Sequence, residues 1–267
     1  MRTAYVLIGC IALAAISVGP LVGSSLSAET TAPVPDLSGL WARQYIGFEP
    51  PLSGPGPIVN RSRVNGQSNL SQFVGDYTSP ILKPAAAAAV KKHGEIELSG
   101  TAAPNPSNQC LPMSPPYILQ RQQVQLLQQK HQITLLYAEG HQVRRVRLNS
   151  KHPERVKPSW YGDSIGHFDG DTLVVDTVGF NEDFWMNRDG LPSTDRLHLT
   201  ESFTRQDMDT MMYDVIIDDP GAYTAPWKSG FVVGWSEGEE MFEYVCQENN
   251  LSPESMLGEG RISSTVP

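Results

Sequence analysis

The feature that most constrains the fold of this sequence is a series of eight short segments after Pro116 in which apolar and polar residues alternate. Alternation with a period of two is the pattern of a β-strand with one buried face. The segments are VQLLQQ, ITLLYAE, QVRRVRLN, TLVVDTVGF, LHLTESFTR, MMYDVIIDD, GFVVGW and MFEYVC. Short turn-like sequences join several of them, and no helix-length segments alternate with them. We therefore predict an all-β fold, an antiparallel up-and-down barrel, with a β-sandwich as the alternative.

The residues before this series predict one helix within an otherwise irregular arm. SPILKPAAAAAVKKHGE, residues 79–95, contains five consecutive alanines, and Gly94 stands where the helix can end. Its flanks are rich in proline, glycine and serine, which disfavour regular structure. The predicted organisation is an arm at 29–116 with the helix at 79–95, a barrel core at 117–250 and a tail at 251–267.

The first 28 residues have the layout of a secretory signal peptide. A single Arg2 precedes an apolar run, a Gly-Pro break and a tail of small residues that ends at Ala28. An uncleaved N-terminal anchor is the alternative, and LIGC at residues 7–10 also resembles a lipoprotein box. The segment predicts export to the periplasm or the medium.

Charge and motif content restrict the partners and cofactors. The formal charge of −9 becomes −10 when residues 1–28 are removed, because they carry one arginine and no acid. An acidic protein with scattered charges does not suit nucleic acid or an anionic membrane surface. No second long apolar run follows, so we expect no membrane insertion after signal cleavage. Phosphate-loop, dinucleotide and haem motifs are absent from the sequence, so we predict no cofactor.

Two cysteines remain after signal cleavage, Cys110 and Cys246. In an oxidising compartment an even pair is most simply a disulfide. Two buried free thiols are the alternative, and no CxxC or HxxxH spacing points to zinc. If Cys246 ends the last strand, the bond would join the first and last strands of a closed barrel.

A G-x-S-x-G pattern at Gly162, Ser164 and Gly166 is the pattern of a serine-hydrolase nucleophile elbow. An elbow requires a strand before the serine and a helix after it. Here the following Asp169-Gly170-Asp171 predicts a hairpin turn between strands, so we reject the elbow. A calcium ion at this turn would lack the other ligands of a calcium loop.

Several motifs resemble known proteins. Gly39-Leu40-Trp41 is similar to the G-x-W motif of lipocalins. A wider set of motifs resembles a family of secreted bacterial proteins that has no established activity: PDLSGLW, NQCLPMSPP, HP near residue 152, YGDSIGHFDGDTLVVDTVGF, LHLTESFTR, DDPGAYTAPW and EYVCQENN. The resemblance covers most of the mature chain and implies an exported, β-rich, lipocalin-like domain. It transfers no catalytic residue.

Two acids interrupt apolar stripes of the predicted strands. Glu201 shares a strand face with Leu199 and Phe203, and Glu243 shares one with Met241. In a cavity, desolvation raises the pKa of a carboxyl group and suits it to general acid–base catalysis. Arg145 and Arg147 share a face with Val143, so an inward arginine could neutralise Glu201 or bind a substrate carboxylate. The alternative is a buried structural ion pair.

His198 is the most prominent histidine, near Asp195 and on the strand face opposite to Glu201. It is therefore a second candidate general base rather than a partner of Glu201. His167 could meet His198 across strands, where a carboxylate could complete a metal site, although we predict no metal. The other histidines lie in turn or helix-end contexts and are predicted to be solvated.

Large aromatic residues in irregular segments are the last candidates: Trp185, Tyr223 and Trp227. They either line a ligand site at the barrel mouth or plug the barrel end. Three functions follow from these features. The first is binding of a small apolar or aromatic molecule in the barrel. The alternative is a cofactor-independent lyase, isomerase or hydrolase that uses Glu201 or His198 as general base. The third is an assembly protein with a solid barrel.

Overall fold

A computed structural model describes residues 35–43, 54–65, 67–69, 71–106, 108–120, 123–182 and 185–246. The chain divides into two compact units, residues 1–33 and 34–267, and every described residue lies in the second unit. The predicted signal peptide and the predicted tail at 251–267 lie outside the described residues. Within the described ranges, no helix is long and apolar enough to cross a membrane.

Eleven strands are described, and nine of them close into a barrel. They are β1 (Gly39–Ala42), β2 (Arg63–Val64), β3 (Gln67–Ser68), β4 (Val124–Gln129), β5 (Gln132–Tyr137), β6 (Gln142–Leu148), β7 (Asp163–Asp169), β8 (Thr172–Val178), β9 (His198–Arg205), β10 (Thr210–Asp218) and β11 (Trp227–Trp235). The barrel order is β1-β11-β10-β9-β8-β7-β6-β5-β4, and β2 and β3 form a separate pair. The predicted barrel is thus confirmed in its closed, mostly β form.

The barrel differs from the predicted antiparallel meander at one junction. β6 and β7 run parallel, over three residue pairs from Val146↔Ser164 to Leu148↔Gly166. Parallel neighbours require a crossover connection, which residues 149–162 provide. The Asp169-Gly170-Asp171 turn joins β7 to β8 as predicted, with Gly170 at a φ of 57°.

The prediction of a last strand at MFEYVC is wrong. Residues 241–246 form no strand, and β11 is the final strand of the described chain. β1, which contains the G-x-W segment, pairs with β4 on one side and β11 on the other. The barrel therefore closes through β1 and leaves no place in its ladder for a further strand.

The predicted helix forms as α1 (Pro84–Leu98), later in the chain than expected. Proline is favoured in the first turn, where its missing N–H costs no hydrogen bond, so the helix begins at Pro84. Gly94 does not end it, because it lies inside the helix against the arm. A Cβ at Gly94 would approach Val74 Cγ1 to 2.9 Å, so close packing explains this glycine.

The inside of the barrel is filled with large side chains. Tyr137, Phe203, Tyr213 and Phe231 are each no more than 1% exposed. Ring centroids of Phe203 and Tyr213 lie 5.1 Å apart, and those of Tyr213 and Phe231 lie 4.8 Å apart. Such interdigitation is typical of a close-packed protein interior.

Cys110 and Cys246 are bonded, with their Cα atoms 5.6 Å apart, so the predicted pairing is confirmed. Its position differs from the prediction, because Cys246 lies beyond β11 rather than at the end of a strand. The bond ties the chain that follows the barrel to the irregular segment before β4.

Candidate functional site

Two polar networks lie on opposite faces of the same barrel wall. Successive residues of a strand point to opposite faces of the sheet, so adjacent polar residues contribute to different networks. The residues on β7, β8 and β9 divide in this way: Ser164, Thr177 and Glu201 are buried inside, whereas Asp163, Asp176 and His198 are partly exposed outside.

The inner network is centred on Arg144 and includes Glu201, Ser164, Thr177 and Tyr213. The Arg144 guanidinium donates to both oxygens of Glu201, with 3.0 Å between Nη1 and Oε1. It also donates to Ser164 Oγ at 3.0 Å and to Thr177 Oγ1 at 2.8 Å. The Tyr213 hydroxyl donates to Glu201 Oε1 at 3.0 Å. The guanidinium therefore joins β6 to β7, β8 and β9, and Tyr213 adds β10 through Glu201.

Both charges of the inner network are withdrawn from water. The side chains of Arg144 and Glu201 are 1% and 0% exposed. Desolvation opposes the charge on Arg144, but the neighbouring Glu201 carboxylate outweighs it, and the pKa of Arg144 stays above its usual range. An ion pair of this kind survives burial because hydrogen bonds satisfy both partners.

Glu201 therefore lies inside the barrel, as its apolar stripe predicted, but its partner is Arg144. Arg145 and Arg147 do not point inward with it. Val143, which shares their face, is 49% exposed, whereas Arg144 shares the opposite face with the fully buried Val146. Since both oxygens of Glu201 are occupied by hydrogen bonds, this arrangement favours the structural ion pair over a general base.

The outer network consists of His198, Asp176, His152, Asp163 and Arg147, joined end to end. His198 Nε2 lies 2.5 Å from Asp176 Oδ2, and His152 Nε2 lies 2.7 Å from Asp176 Oδ1. His152 Nδ1 lies 2.6 Å from Asp163 Oδ1. The Arg147 guanidinium donates two hydrogen bonds to Asp163, both of 2.8 Å. Basic and acidic side chains thus alternate along the outer network.

The strand registers and the crossover assemble the outer network. Arg147 pairs with Ile165, and Ile165 pairs with Asp176 on the next strand, so β6, β7 and β8 bring their outward residues together. His152 comes from the crossover at 149–162 and bridges Asp163 to Asp176. The parallel β6–β7 junction is therefore what makes room for the bridging histidine.

Both ring nitrogens of His152 lie within hydrogen-bond distance of carboxylate oxygens, and this arrangement favours the protonated ring, in which both nitrogens donate. Burial opposes this charge, but the hydrogen bonds to the carboxylates of Asp163 and Asp176 outweigh it and raise the pKa of His152. The Arg147 hydrogen bonds, with help from His152, lower the pKa of Asp163. For Asp176, desolvation works in the opposite direction, but hydrogen bonds from the two histidines still lower its pKa.

His198 ends the outer network and is its most exposed histidine, with 42% of its side chain accessible. Because Nε2 lies against the Asp176 carboxylate, we assign the proton of the neutral ring to Nε2. Nδ1 has no hydrogen-bond partner among the residues that the structure describes. The geometry leaves one ring nitrogen held by an acid and the other open as a proton acceptor.

Sequence reasoning did not assign three members of this network to the site: His152, Asp163 and Asp176. His152 was predicted to be solvated in a turn, yet it bonds two aspartates. The signal at Asp176 was an acid in the apolar run TLVVDTV, on the face opposite to the buried Leu173, Val175 and Thr177. The partners of both residues lie on other strands, which local pattern does not show.

Other predicted site residues lie apart from the outer network. His167 is exposed and pairs with Val174, whereas the register places His198 beside Asp218, so the two histidines do not meet. Asp195 and Glu243 are exposed. Within the described ranges, no group of three or more His, Cys, Asp or Glu side chains is arranged to hold a metal ion.

The predicted aromatic residues have packing partners. Trp185 meets His93 of α1 edge to face, with ring centroids 5.1 Å apart. Tyr223 and Trp227 are buried against each other at 5.7 Å, and the Tyr223 hydroxyl donates to the Pro192 carbonyl oxygen at 2.8 Å. The burial of Tyr223 and Trp227 favours the second of the two roles predicted for them, in which they plug the barrel end instead of lining a ligand site.

A pocket of about 420 Å³ adjoins the outer network where β6 and β7 separate. Asp163 and Arg147 line it and also belong to the network. Its other lining residues include Arg145, Tyr161 and Val143. A second pocket of about 280 Å³ lies beside the Cys110–Cys246 bond.

Comparison with known proteins gives no counterpart for this site. No family model, no curated protein and no solved structure matches the chain.

Proposed function

We propose that the protein is a cofactor-independent enzyme in which His198 acts as the general base. The observation that carries this proposal is the 2.5 Å contact between His198 Nε2 and Asp176 Oδ2. It supports a fixed ring with Nδ1 as the proton acceptor, on a side chain that solvent and substrate can reach. Lyase and isomerase reactions that begin with removal of a proton from carbon suit this arrangement best.

In such a step the substrate C–H bond breaks and the proton moves to His198 Nδ1. The electron pair of that bond moves into an adjacent carbonyl group or expels a leaving group. His198 becomes an imidazolium, and the Asp176 carboxylate stabilises its charge through the Nε2–H hydrogen bond. The proton then returns to product or passes to water, which restores the base.

The remaining members of the outer network act as positioning residues. The His152 imidazolium holds Asp176 Oδ1, so that Oδ2 is directed at His198. Asp163 and Arg147 hold His152 from the other side. The alternation of acidic and basic groups favours the ionised form of Asp163 and Asp176, since each carboxylate lies between two basic side chains.

Binding of a small molecule remains part of the proposal, but not inside the barrel. The sequence placed the ligand there, whereas the interior contains closely packed aromatic side chains and the inner network. The outer pocket is the better position, because it adjoins Asp163 of the outer network. The bonded cysteines support the proposed periplasmic or secreted location, where thiols are oxidised.

The test is a deuterium-exchange screen. The purified protein is incubated with a mixture of small organic acids, ketones and alcohols in D₂O, and mass spectrometry detects deuterium uptake or new products. We expect at least one compound to change with the wild type and with His167→Gln, an exposed histidine on the same outer face. His198→Gln should slow that change by about a hundredfold or more. Equal changes with His198→Gln, or no change with the wild type, would contradict the proposal.

A further inference from the structure

We infer that the pocket between β6 and β7 binds the carboxylate of an elongated organic acid, with Arg145 as its anchor. This inference rests on the proposed function and names the substrate class of the same site. It depends on four observations: the split between the strands, the unpaired arginine, the row of residues that links the pocket to His198, and the apolar surface along that row.

The split between the two strands creates the pocket. The parallel ladder begins only at Val146↔Ser164, so residues 142–145 of β6 have no ladder partner on the β7 side. The pocket of about 420 Å³ occupies this position, and Tyr161 and Gly162 border it where the crossover enters β7. The opening is therefore a consequence of the topology, and it lies on the wall that carries the outer network.

The charges of the pocket leave one unpaired cation. Arg144 is neutralised by Glu201 inside the barrel, and Arg147 is neutralised by Asp163. Arg145 also lines the pocket, and among the described residues it has no hydrogen-bond or ion-pair partner. A guanidinium presents two parallel N–H groups that match a carboxylate, so a single carboxylate is the group that fits this surplus charge.

Asp163 does not prevent an anion from binding nearby. Its carboxylate receives two hydrogen bonds from Arg147 and a further bond from the His152 imidazolium. Arg147 and His152 therefore compensate the negative charge of Asp163 at the edge of the pocket. The positive charge left for an anion is that of Arg145.

The strand registers place Arg145 and His198 at opposite ends of one row. Arg145 lies one residue before the first ladder pair, Val146↔Ser164, so it faces Asp163 across the opening between the strands, and Asp163 pairs with Val178. Val178 follows Thr177, the partner of Leu199, and is therefore beside His198. All four residues of the row, Arg145, Asp163, Val178 and His198, point to the outside.

The row sets the length and character of the ligand. Its ends lie on β6 and β9, so at least about 14 Å separates their backbones, and the two side chains span part of that distance. Val143, Tyr161 and Val178 supply apolar surface near the pocket and along the row. An elongated acid with an apolar or aromatic body can reach both ends, whereas a compact acid reaches Arg145 alone.

The test uses biphenyl-4-carboxylate as an elongated probe and acetate as a compact one, in NMR titrations of the full folded protein. We expect biphenyl-4-carboxylate to bind the wild type with a Kd of about 1 mM or tighter and to shift the signals of Arg145 and His198. Arg145→Gln should weaken this binding about tenfold or more. Arg155→Gln, an exposed arginine of the crossover, is the charge-matched control and should bind as the wild type does.

The outcomes separate this inference from the proposed function. If biphenyl-4-carboxylate binds Arg145→Gln as tightly as the wild type, or does not bind the wild type, the pocket is not a carboxylate site anchored by Arg145. If acetate binds as tightly as biphenyl-4-carboxylate, the pocket does not select elongated acids and that part of the inference is wrong. If binding depends on Arg145 but no compound in the deuterium screen depends on His198, the pocket stands and the catalytic proposal fails. His198→Gln should bind biphenyl-4-carboxylate as tightly as the wild type does, since Arg145 is the residue that holds the carboxylate.

Discussion

The inner and outer networks of this barrel are built from the same strands, yet they leave their charges in different states. Arg144 and Glu201 are withdrawn from water, and every oxygen of the carboxylate accepts a hydrogen bond from a side chain of the barrel. The outer network is partly exposed and ends at His198, whose Nδ1 has no partner within the described part of the chain. A closed set of hydrogen bonds stabilises a fold, whereas an open-ended one retains a group for proton transfer.

The largest effect should come from breaking the inner network. Glu201→Ala leaves the Arg144 charge buried without its acid, which we expect to lower the free energy of unfolding by about 3–5 kcal/mol. Urea unfolding followed by tryptophan fluorescence measures this change. Glu243→Ala, which removes an exposed acid, is the control and should change stability by less than about 0.5 kcal/mol. A similar, small loss for both variants would show that the inner network is not structural.

Disrupting the outer network should lower the reaction rate more than it lowers the stability of the fold. Asp176→Asn removes the acid that holds His198 and His152. We expect the His198-dependent reaction from the deuterium screen to slow by about a hundredfold. The free energy of unfolding should fall by no more than about 1 kcal/mol, because the ion pairs are partly exposed. A large loss of stability with an unchanged rate would reverse the roles of the two networks.

Replacing both inner charges should cost less than replacing one. In Arg144→Met combined with Glu201→Leu, no charge is left buried without a partner, so we expect a loss of about 1–2 kcal/mol. Part of that loss comes from Tyr213, Ser164 and Thr177, which lose their shared partners. Urea unfolding of the double variant beside Glu201→Ala makes the comparison. A double variant as unstable as the single one would mean that the ion pair itself is net stabilising.

The smallest effect is the pH dependence of the outer network. The raised pKa of His152 means that its contribution to stability is complete below pH 6.5 and is lost as the pH rises through the folded value. The lowered pKa values of Asp163 and Asp176 mean that their contribution is complete above about pH 4 and is lost in more acidic solution.

NMR titration of the His152 ring tests this directly. We expect its pKa to lie above the ordinary histidine value in the wild type and to fall in Asp163→Asn, which removes one of its two carboxylate partners. A His152 pKa that does not respond to Asp163→Asn would separate the histidine from the outer network.

Seven of the eight predicted segments form barrel strands, because a half-buried strand shows in its own sequence, whereas β1 and β7 were not among those segments. Local pattern failed to predict features that depend on contacts between residues far apart in the sequence. The parallel β6–β7 junction depends on how residues 149–162 return to the sheet, and QVRRVRLN does not show which neighbour it pairs with. The inward face of β6 was predicted from the apolar Val143. In the structure Val143 is exposed, and the charged Arg144 is buried, where it pairs with Glu201.

The same distinction applies to the site. His198 stood out in the sequence because it lies on a predicted strand, near Asp195 and three residues before Glu201. Asp176 and His152 acquire their meaning only through each other, across β8 and the crossover. MFEYVC shows that alternation alone is insufficient, since β1 occupies the position beside β11 that this segment would need.

The most direct test of the central claim is the nitrogen-15 NMR spectrum of the His198 ring in the folded protein near neutral pH. The structure predicts a hydrogen-bonded Nε2–H and a bare Nδ1, with the Nε2–H signal lost or weakened in Asp176→Asn. That result would establish the open, acid-held base on which the proposed proton transfer depends. A proton on Nδ1 of the neutral ring, or a spectrum that Asp176→Asn does not change, would contradict it.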